Sequence, residues 1–267
     1  MKASKRQKQI LDLVARDGAQ TVDHLSQYLG VSVATIRRDL AALESEGRVI
    51  RTHGGVRAGI PHSELTIAEK AMQNQSQKMG IARLAARKVH DFDTIIVDAG
   101  TTTGLFAKML AGQDLTVITN SITALSILLN RRDITVMILG GTLRYVNQAI
   151  IGSSAINQLR NVFADGAFIG AYEFVIGHGI TSPTPSQAAL KSAMMESAKE
   201  IYILVDSSKF GQPTYKYISP VPQRATIITD DGIHPSIVQA LQQNHLQVVM
   251  AQPHTAIDEK SMESPVN

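Results

Sequence analysis

From Thr94 onward the chain alternates short apolar runs with stretches of helical length, and this alternation constrains the fold more than any other feature. Runs at 94–99, 115–119, 134–139, 167–171, 201–206, 225–229 and 247–251 read as strands. Segments 77–89, 102–111, 121–130, 153–161, 186–199 and 235–243 carry apolar residues at helical spacing. Strands that are apolar on both faces leave no side for water. Interleaved with helices, they predict a parallel sheet covered on both faces, a Rossmann-like α/β domain.

Such sheets bind ligands beyond the C-terminal ends of their strands, and polar clusters fall there. Asp98 ends one strand, Gly100 permits a tight turn, and Thr101, Thr102 and Thr103 open a helix. Amides at a helix N-terminus, joined by hydroxyls, suit a phosphate, whereas a single threonine would be an ordinary cap. Equivalent junctions hold Thr119-Asn120-Ser121, Gly140-Gly141 with Arg144 beyond, and Asp206-Ser207-Ser208-Lys209. Lys209 is placed to neutralise a phosphate or to bond a sugar oxygen.

The first sixty residues read differently. Ser4–Ala15 is amphipathic and ends at Gly18; Thr21 caps a second helix to about Tyr28; Gly30 turns the chain; Ser32 caps a third helix. Helix, glycine turn, helix is the spacing of a helix-turn-helix. On the third helix Val33, Ile36, Leu40 and Leu43 form the apolar stripe, and Ser32, Ala34, Thr35, Arg37 and Arg38 lie away from it. Small and hydroxylated residues let a helix approach a major groove, and arginines reach guanine edges or phosphates. Acidic residues begin only at Asp39, where such a helix would leave the groove. Val49-Ile50 and Val56 flank His53-Gly54-Gly55, predicting a basic β-hairpin with Arg48, Arg51, His53 and Arg57, the wing of a winged helix.

Charge agrees with this division. Residues 1–59 hold ten Lys/Arg and six Asp/Glu, and the remainder sixteen and seventeen, so the formal +3 arises at the N-terminal end. The absence of cysteine excludes disulfides, thiolate metal sites and cysteine nucleophiles. The charged opening lacks the apolar core of a signal peptide, and no run approaches the roughly 20 apolar residues of a membrane span. A cytoplasmic protein without membrane association is expected. The eight histidines are scattered, so neither metal nor cofactor is expected.

The run SVATIRRDLAALESEGRVIRTHGG (32–55), within a match from Arg6 to Gly55, resembles the DNA-binding domain of the DeoR family of bacterial regulators. DAGTTT, VITNS, LGGTLR, the Ile150-Ile151-Gly152 run and VDSSKFG resemble the sensor domain of the same family, so the likeness runs to about Met250. The resemblance implies a sensor domain with the fold of ribose-5-phosphate isomerase that binds phosphorylated sugars or related intermediates. It implies that Thr35, Arg37 and Arg38 meet DNA. It places the phosphate loop at Gly100–Thr103, lined by Asp98, Asn120, Arg144, Lys191 and Lys209. One departure stands out: the position two places after Gly170, usually acidic in such domains, is Tyr172, and Glu173 follows it. That leaves open whether the effector is a sugar phosphate or a sugar acid.

The domain plan is a winged helix-turn-helix at 1–58, a linker at 59–75, an α/β effector-sensing and oligomerising domain at 76–252, and a disordered tail at 253–267. Expected partners are double-stranded operator DNA, a small phosphorylated metabolite, and further copies of the chain in a homodimer or homotetramer, since one winged helix reads too few bases to select an operator. The competing reading is a sugar-phosphate isomerase fused to a DNA-binding domain. Aldose–ketose isomerisation needs a carboxylate base and groups that polarise the carbonyl. Glu173 could supply the base, but Tyr172 removes the partner carboxylate, and no catalytic residue is assigned.

Overall fold

A computed structural model describes residues 3–45, 49–52, 54–58, 65–110, 114–211 and 217–252. The chain divides into two units, Met1–Glu64 and Leu65–Asn267.

In the first unit, α1 (Ala3–Asp17), β1 (Gln20–Thr21), α2 (Val22–Leu29), α3 (Val33–Ser45), β2 (Val49–Thr52) and β3 (Gly55–Ala58) follow in order. Thr21 Oγ1 accepts the His24 amide at 3.1 Å and so begins α2. Gly30 ends it in the left-handed region at φ 63°, where a side chain would be strained. Ser32 Oγ then accepts the Thr35 amide at 3.3 Å and starts α3. Ile10, Leu25, Ile36, Leu40, Leu43 and Val56 are fully buried and hold the helices against the hairpin. The hairpin gains a strand that the sequence pattern does not announce: β1 pairs antiparallel with β3, giving the order β1-β3-β2.

Asp39 departs from expectation. It does not mark an exposed end of α3 but is buried, and its carboxylate pairs with the Arg6 guanidinium from α1. The bonds from Asp39 raise the Arg6 pKa further above its already high value. One of the ten N-terminal cations is thereby neutralised inside the domain.

The second unit starts earlier than the linker reading allows. Residues 65–75, expected as linker, contain α4 (Ile67–Ala71) and the first residue of α5 (Gln75–Ala86). Thr66 and Glu69 form a reciprocal capping box, a local signal strong enough to start a helix amid polar sequence. The tail 253–267 lies outside the described residues.

Seven strands then form one parallel sheet: β4 (Thr94–Val97), β5 (Leu115–Thr119), β6 (Ile134–Ile138), β9 (Ala164–Gly170), β12 (Ala198–Leu204), β14 (Thr226–Asp230) and β15 (Gln247–Ala251). Helices α6 (Thr101–Met109), α7 (Ile122–Leu128), α8 (Ser153–Leu159), α9 (Pro185–Glu196) and α10 (Pro235–Gln243) cover it. Two small additions were not expected from the apolar pattern: the hairpin β7 (Thr142–Arg144) with β8 (Ala149–Ile151), and an antiparallel trio of β10 (Phe174–Val175), β11 (Gly179–Ser182) and β13 (Tyr217–Ser219).

Alternate residues of each strand enter different cores. Ile95, Val97, Phe168, Tyr202 and Leu204 pack with α5, α6 and α7, whereas Ile96, Ala167, Ile169, Ile201 and Ile203 pack with α8, α9 and α10. Phe168 stacks between Phe106 and Tyr202, with ring centroids 4.3 and 4.9 Å away. The strand order is β6-β5-β4-β9-β12-β14-β15. The chain winds outward from β4 in one direction, then returns to β9 and winds in the other. The switch point therefore lies between the ends of β4 and β9, where such sheets open a crevice.

Candidate functional site

On α3 the face opposite Ile36, Leu40 and Leu43 carries exposed Ser32, Ala34, Arg37 and Arg38, with Thr35 half-buried between them. Ser32 Oγ and Thr35 Oγ1 lie 2.9 Å apart and fix one another at the helix start. With Asp39 turned inward against Arg6, the first two turns present two guanidinium groups and no carboxylate. His53 lies outside the described residues. Arg51 and Arg57 sit on β2 and β3, but their side chains lie outside what is described.

At the switch point of the second unit, Asp98 follows β4 and is 3% exposed. Its Oδ2 accepts the Gly170 amide from the end of β9 at 3.1 Å. The Lys191 ammonium, from α9, pairs with that same carboxylate and donates to the Gly170 carbonyl at 2.6 Å. Three elements from both halves of the sheet thus meet on one buried ion pair. A bare charge in this position would be strongly disfavoured, so each partner requires the other.

Asn120, at the end of β5, is 3% exposed and lines a cavity of about 10 Å³ with Asp98 and Lys191, volume for roughly one water. Its amide nitrogen donates to the Ile150 carbonyl at 3.2 Å, and its backbone carbonyl accepts the Ile150 amide at 2.8 Å. The β7–β8 hairpin is thereby clamped over the strand end. Asn120 Oδ1, by contrast, is buried with no hydrogen-bond partner. Arg144 reaches the same wall indirectly, donating to Asn147 Oδ1 at 3.3 Å.

The phosphate-loop residues divide. Gly100 is in extended backbone, and Thr103 Oγ1 donates to its carbonyl at 3.2 Å. Thr102 and Thr103 are buried, but Thr101 lines a different, larger cavity of about 340 Å³. Glu173 and Lys209 are not among the residues lining the Asp98 cavity. Glu173 lies on the β10 side of a hairpin, its carbonyl accepting the Thr181 amide at 2.9 Å. Tyr172 beside it lies under the Lys70 ammonium, 5.1 Å from the ring centroid. Lys209 sits on a 3-10 turn, 207–209, after β12. The turn is held by Asp206, which accepts from the Ser208 amide at 3.2 Å and from Asn74 Nδ2 at 2.9 Å.

Four positions escaped the sequence reading. Gln187 and Leu190 line the same cavity as Lys191 on α9, and the i, i+4 spacing of Gln187 to Lys191 flags it once Lys191 is chosen. Asn147 belongs to a hairpin with no apolar signature. Lys78, on α5, is buried and donates to the Lys70 and Gln73 carbonyls at 2.5 and 2.7 Å. Burial pushes its pKa below the ordinary lysine value; Asp206 opposes that shift, and Lys209 and Lys70 add to it. Lysine in an amphipathic helix usually means an exposed face, so nothing in the local pattern marks this one. Among the described residues no cluster of metal-ligating side chains occurs and no helix is long and apolar enough to cross a membrane.

Residues 6–60 match the family description "DeoR-like helix-turn-helix domain" and residues 73–231 match "DeoR C terminal sensor domain". An uncharacterised HTH-type transcriptional regulator of Bacillus subtilis, YulB, is 34% identical, covering 93% of this chain and 96% of that one. The HTH-type transcriptional repressor GlcR of the same species is 33% identical over 91% and 94%. The lactose phosphotransferase system repressor of Lactococcus lactis is 33% identical over 91% and 97%. Among solved structures, ribose 5-phosphate isomerase A of Methanocaldococcus jannaschii aligns at 20% identity and TM-score 0.39, over 52% of this chain and 56% of that one, too loosely to bear on chemistry. With both domains matched along nearly its full length, this chain belongs to the DeoR family of helix-turn-helix transcriptional regulators.

Proposed function

We propose that the chain is an operator-binding repressor of a carbohydrate or sugar-acid catabolic operon, acting in the cytoplasm as a homodimer or homotetramer and released by a phosphorylated sugar-type metabolite. DNA is met by Ser32, Ala34, Thr35, Arg37 and Arg38, with Arg51, His53 and Arg57 supporting from the wing. The effector binds at the switch point, its phosphate at Gly100–Thr103 and its polar body among Asp98, Asn120, Arg144 and Lys191, with Glu173 and Lys209, which lie outside the Asp98 cavity, reaching it only from farther along the strand ends. One observation carries this reading: a buried Asp98–Lys191 pair beside a helix N-terminus, with Asn120, whose side-chain oxygen is buried and unpartnered, lining the same cavity. An unsatisfied buried acceptor costs about 1–3 kcal/mol, and a ligand hydroxyl would remove that cost. A relative named as the lactose phosphotransferase system repressor supports the carbohydrate assignment.

An isomerase reading is weaker. Among the described residues Asp98 is the one carboxylate lining this cavity, and its Oδ2 is already engaged by Lys191 and the Gly170 amide, so no second carboxylate stands beside it to share acid–base work. The test is binding to DNA upstream of the chain's own gene, repeated at one fixed salt concentration across phosphorylated sugars and sugar acids. A compound that shifts affinity about tenfold, roughly 1.4 kcal/mol of coupling, supports the sensor reading if Asn120→Ala abolishes the shift. Tight DNA binding that no compound alters would refute it.

A further inference from the structure

The cavity of about 340 Å³ is not the Asp98 cleft. It lies on the other side of α6, between that helix with α7 and the α4–α5 segment. Its size falls within the roughly 300–1,000 Å³ of small-molecule sites. Ile67, Met79, Leu105 and Ile127 make its walls largely apolar, whereas two lysines, Lys78 and Lys108, supply the charge.

Lys78 indicates what would enter. Its ammonium has three N–H groups. Two go to the Lys70 and Gln73 carbonyls, leaving one with no protein partner among the described residues. The side chain is buried, and of the charges acting on it only Asp206 is favourable, against Lys209 and Lys70. Asp206 is itself engaged by Asn74 and Ser208. A buried amine with a free donor, surplus positive charge and an apolar chamber beside it is complementary to an anion with an apolar body.

We propose that this chamber is a second ligand site, distinct from the Asp98 cavity and meeting the proposed phosphate loop only at Thr101, taking a small amphipathic anion whose carboxylate, sulfonate or phosphate meets Lys78 while its apolar part lies along Met79, Leu105 and Ile127. Lys108, exposed at the rim, adds attraction at entry. An occupant would also brace α4, since Ile67 and Ala71 form one wall and Lys78 ties the carbonyls that end that helix.

The test uses the full chain and two probes of one shape, anilinonaphthalene sulfonate and its uncharged parent phenylnaphthylamine, followed by fluorescence. The sulfonate binds the native protein saturably. Ala71→Trp, which fills the mouth from an exposed position and is expected to leave the fold intact, weakens both probes about tenfold or more. Lys78→Gln weakens the sulfonate by about that factor and leaves the neutral probe within about twofold, because only the charged contact is lost. Lys108→Glu weakens the sulfonate alone. Thermal midpoints establish that each variant is folded. The proposal is overturned if the folded protein does not bind the sulfonate, if Ala71→Trp leaves its affinity unchanged, or if Lys78→Gln affects both probes equally. No operator or sugar phosphate enters the measurement, so its failure is distinguishable from failure of the effector reading.

Discussion

Replacing Lys191 by Met keeps most of the length of the side chain and removes its charge. Asp98 would then remain 3% exposed with the Gly170 amide as its one remaining donor of those described. Breaking a buried pair in this way costs about 3–5 kcal/mol, because the surviving charge has neither partner nor water. At roughly 2–4 °C per kcal/mol for a unit of this size, the thermal midpoint of the sensor unit should fall by about 6–20 °C. The double variant Asp98→Asn/Lys191→Met removes both charges while its new amide oxygen can still accept from Gly170. It should recover most of the loss, to within about 1–2 kcal/mol of the native chain. Circular dichroism at a fixed protein concentration reads both. The chain has no tryptophan, so far-ultraviolet signal is the practical probe. A Lys191→Met midpoint within a degree or two of native would refute a desolvated pair. A double variant as unstable as the single would show that the charges are not coupled.

Other positions give separable outcomes. Arg37→Ala, at an exposed residue, should leave the melting curve unchanged and weaken operator binding by about 1–3 kcal/mol if Arg37 reads a base edge; unaltered binding in a titration would remove α3 from the recognition role. Gly80→Ala should destabilise despite the roughly 1 kcal/mol helix preference for alanine. The added Cβ would lie 2.5 Å from the backbone oxygen of Gln252, and that strand end must move, typically at about 1–3 kcal/mol; a more stable variant in denaturant titration would contradict this. Lys78 has a folded pKa lowered chiefly by burial, so between that value and the ordinary lysine value the unfolded chain holds more protons. Its contribution to stability therefore rises with pH through that window and is least below it. Comparing native and Lys78→Met midpoints from neutral to alkaline pH should show a gain in the native chain that the variant lacks.

How much of this was legible follows from what each residue does locally. Strands β4, β5 and β6 and the helices behind them write their burial into short apolar runs, and their places agree with the pattern to within a few residues. The winged-helix unit is equally plain, because Thr21, Gly30 and Ser32 perform cap and turn roles that act within four positions of themselves. What stayed hidden depends on partners distant in sequence. Asp39 reads as a surface carboxylate until Arg6, thirty-three positions away, is found against it. β1 is two residues long and is a strand only because β3 lies beside it. Thr101, Thr102 and Thr103 look like one cluster in sequence, yet successive residues of a helix point about 100° apart, so the first faces one cavity and the others are buried.

That division bears on how the switch-point cleft can respond to a ligand. The space beside Asp98 holds about one water, and its walls come from both halves of the sheet: β4 and β5 on one side, α9 on the other, and the β7–β8 hairpin as cover. A metabolite larger than a water cannot enter without moving one of these walls. The sheet strands are bonded to neighbours on both edges, and Asp98 is held by a backbone amide. The hairpin is attached by two bonds between Asn120 and Ile150, by the Ile122 amide to the Gln148 carbonyl at 3.0 Å and by Thr123 Oγ1 to Gln148 Oε1 at 2.9 Å. Its two backbone bonds to the residues just after β5 are fewer than those that hold each strand in the sheet. On the proposed effector reading, displacing it would break the Asn120 amide contacts while a ligand hydroxyl would satisfy Asn120 Oδ1. The same asparagine would thus detect the ligand and release the cover, which is how a tight site can convert binding into a change of shape rather than simple occupancy.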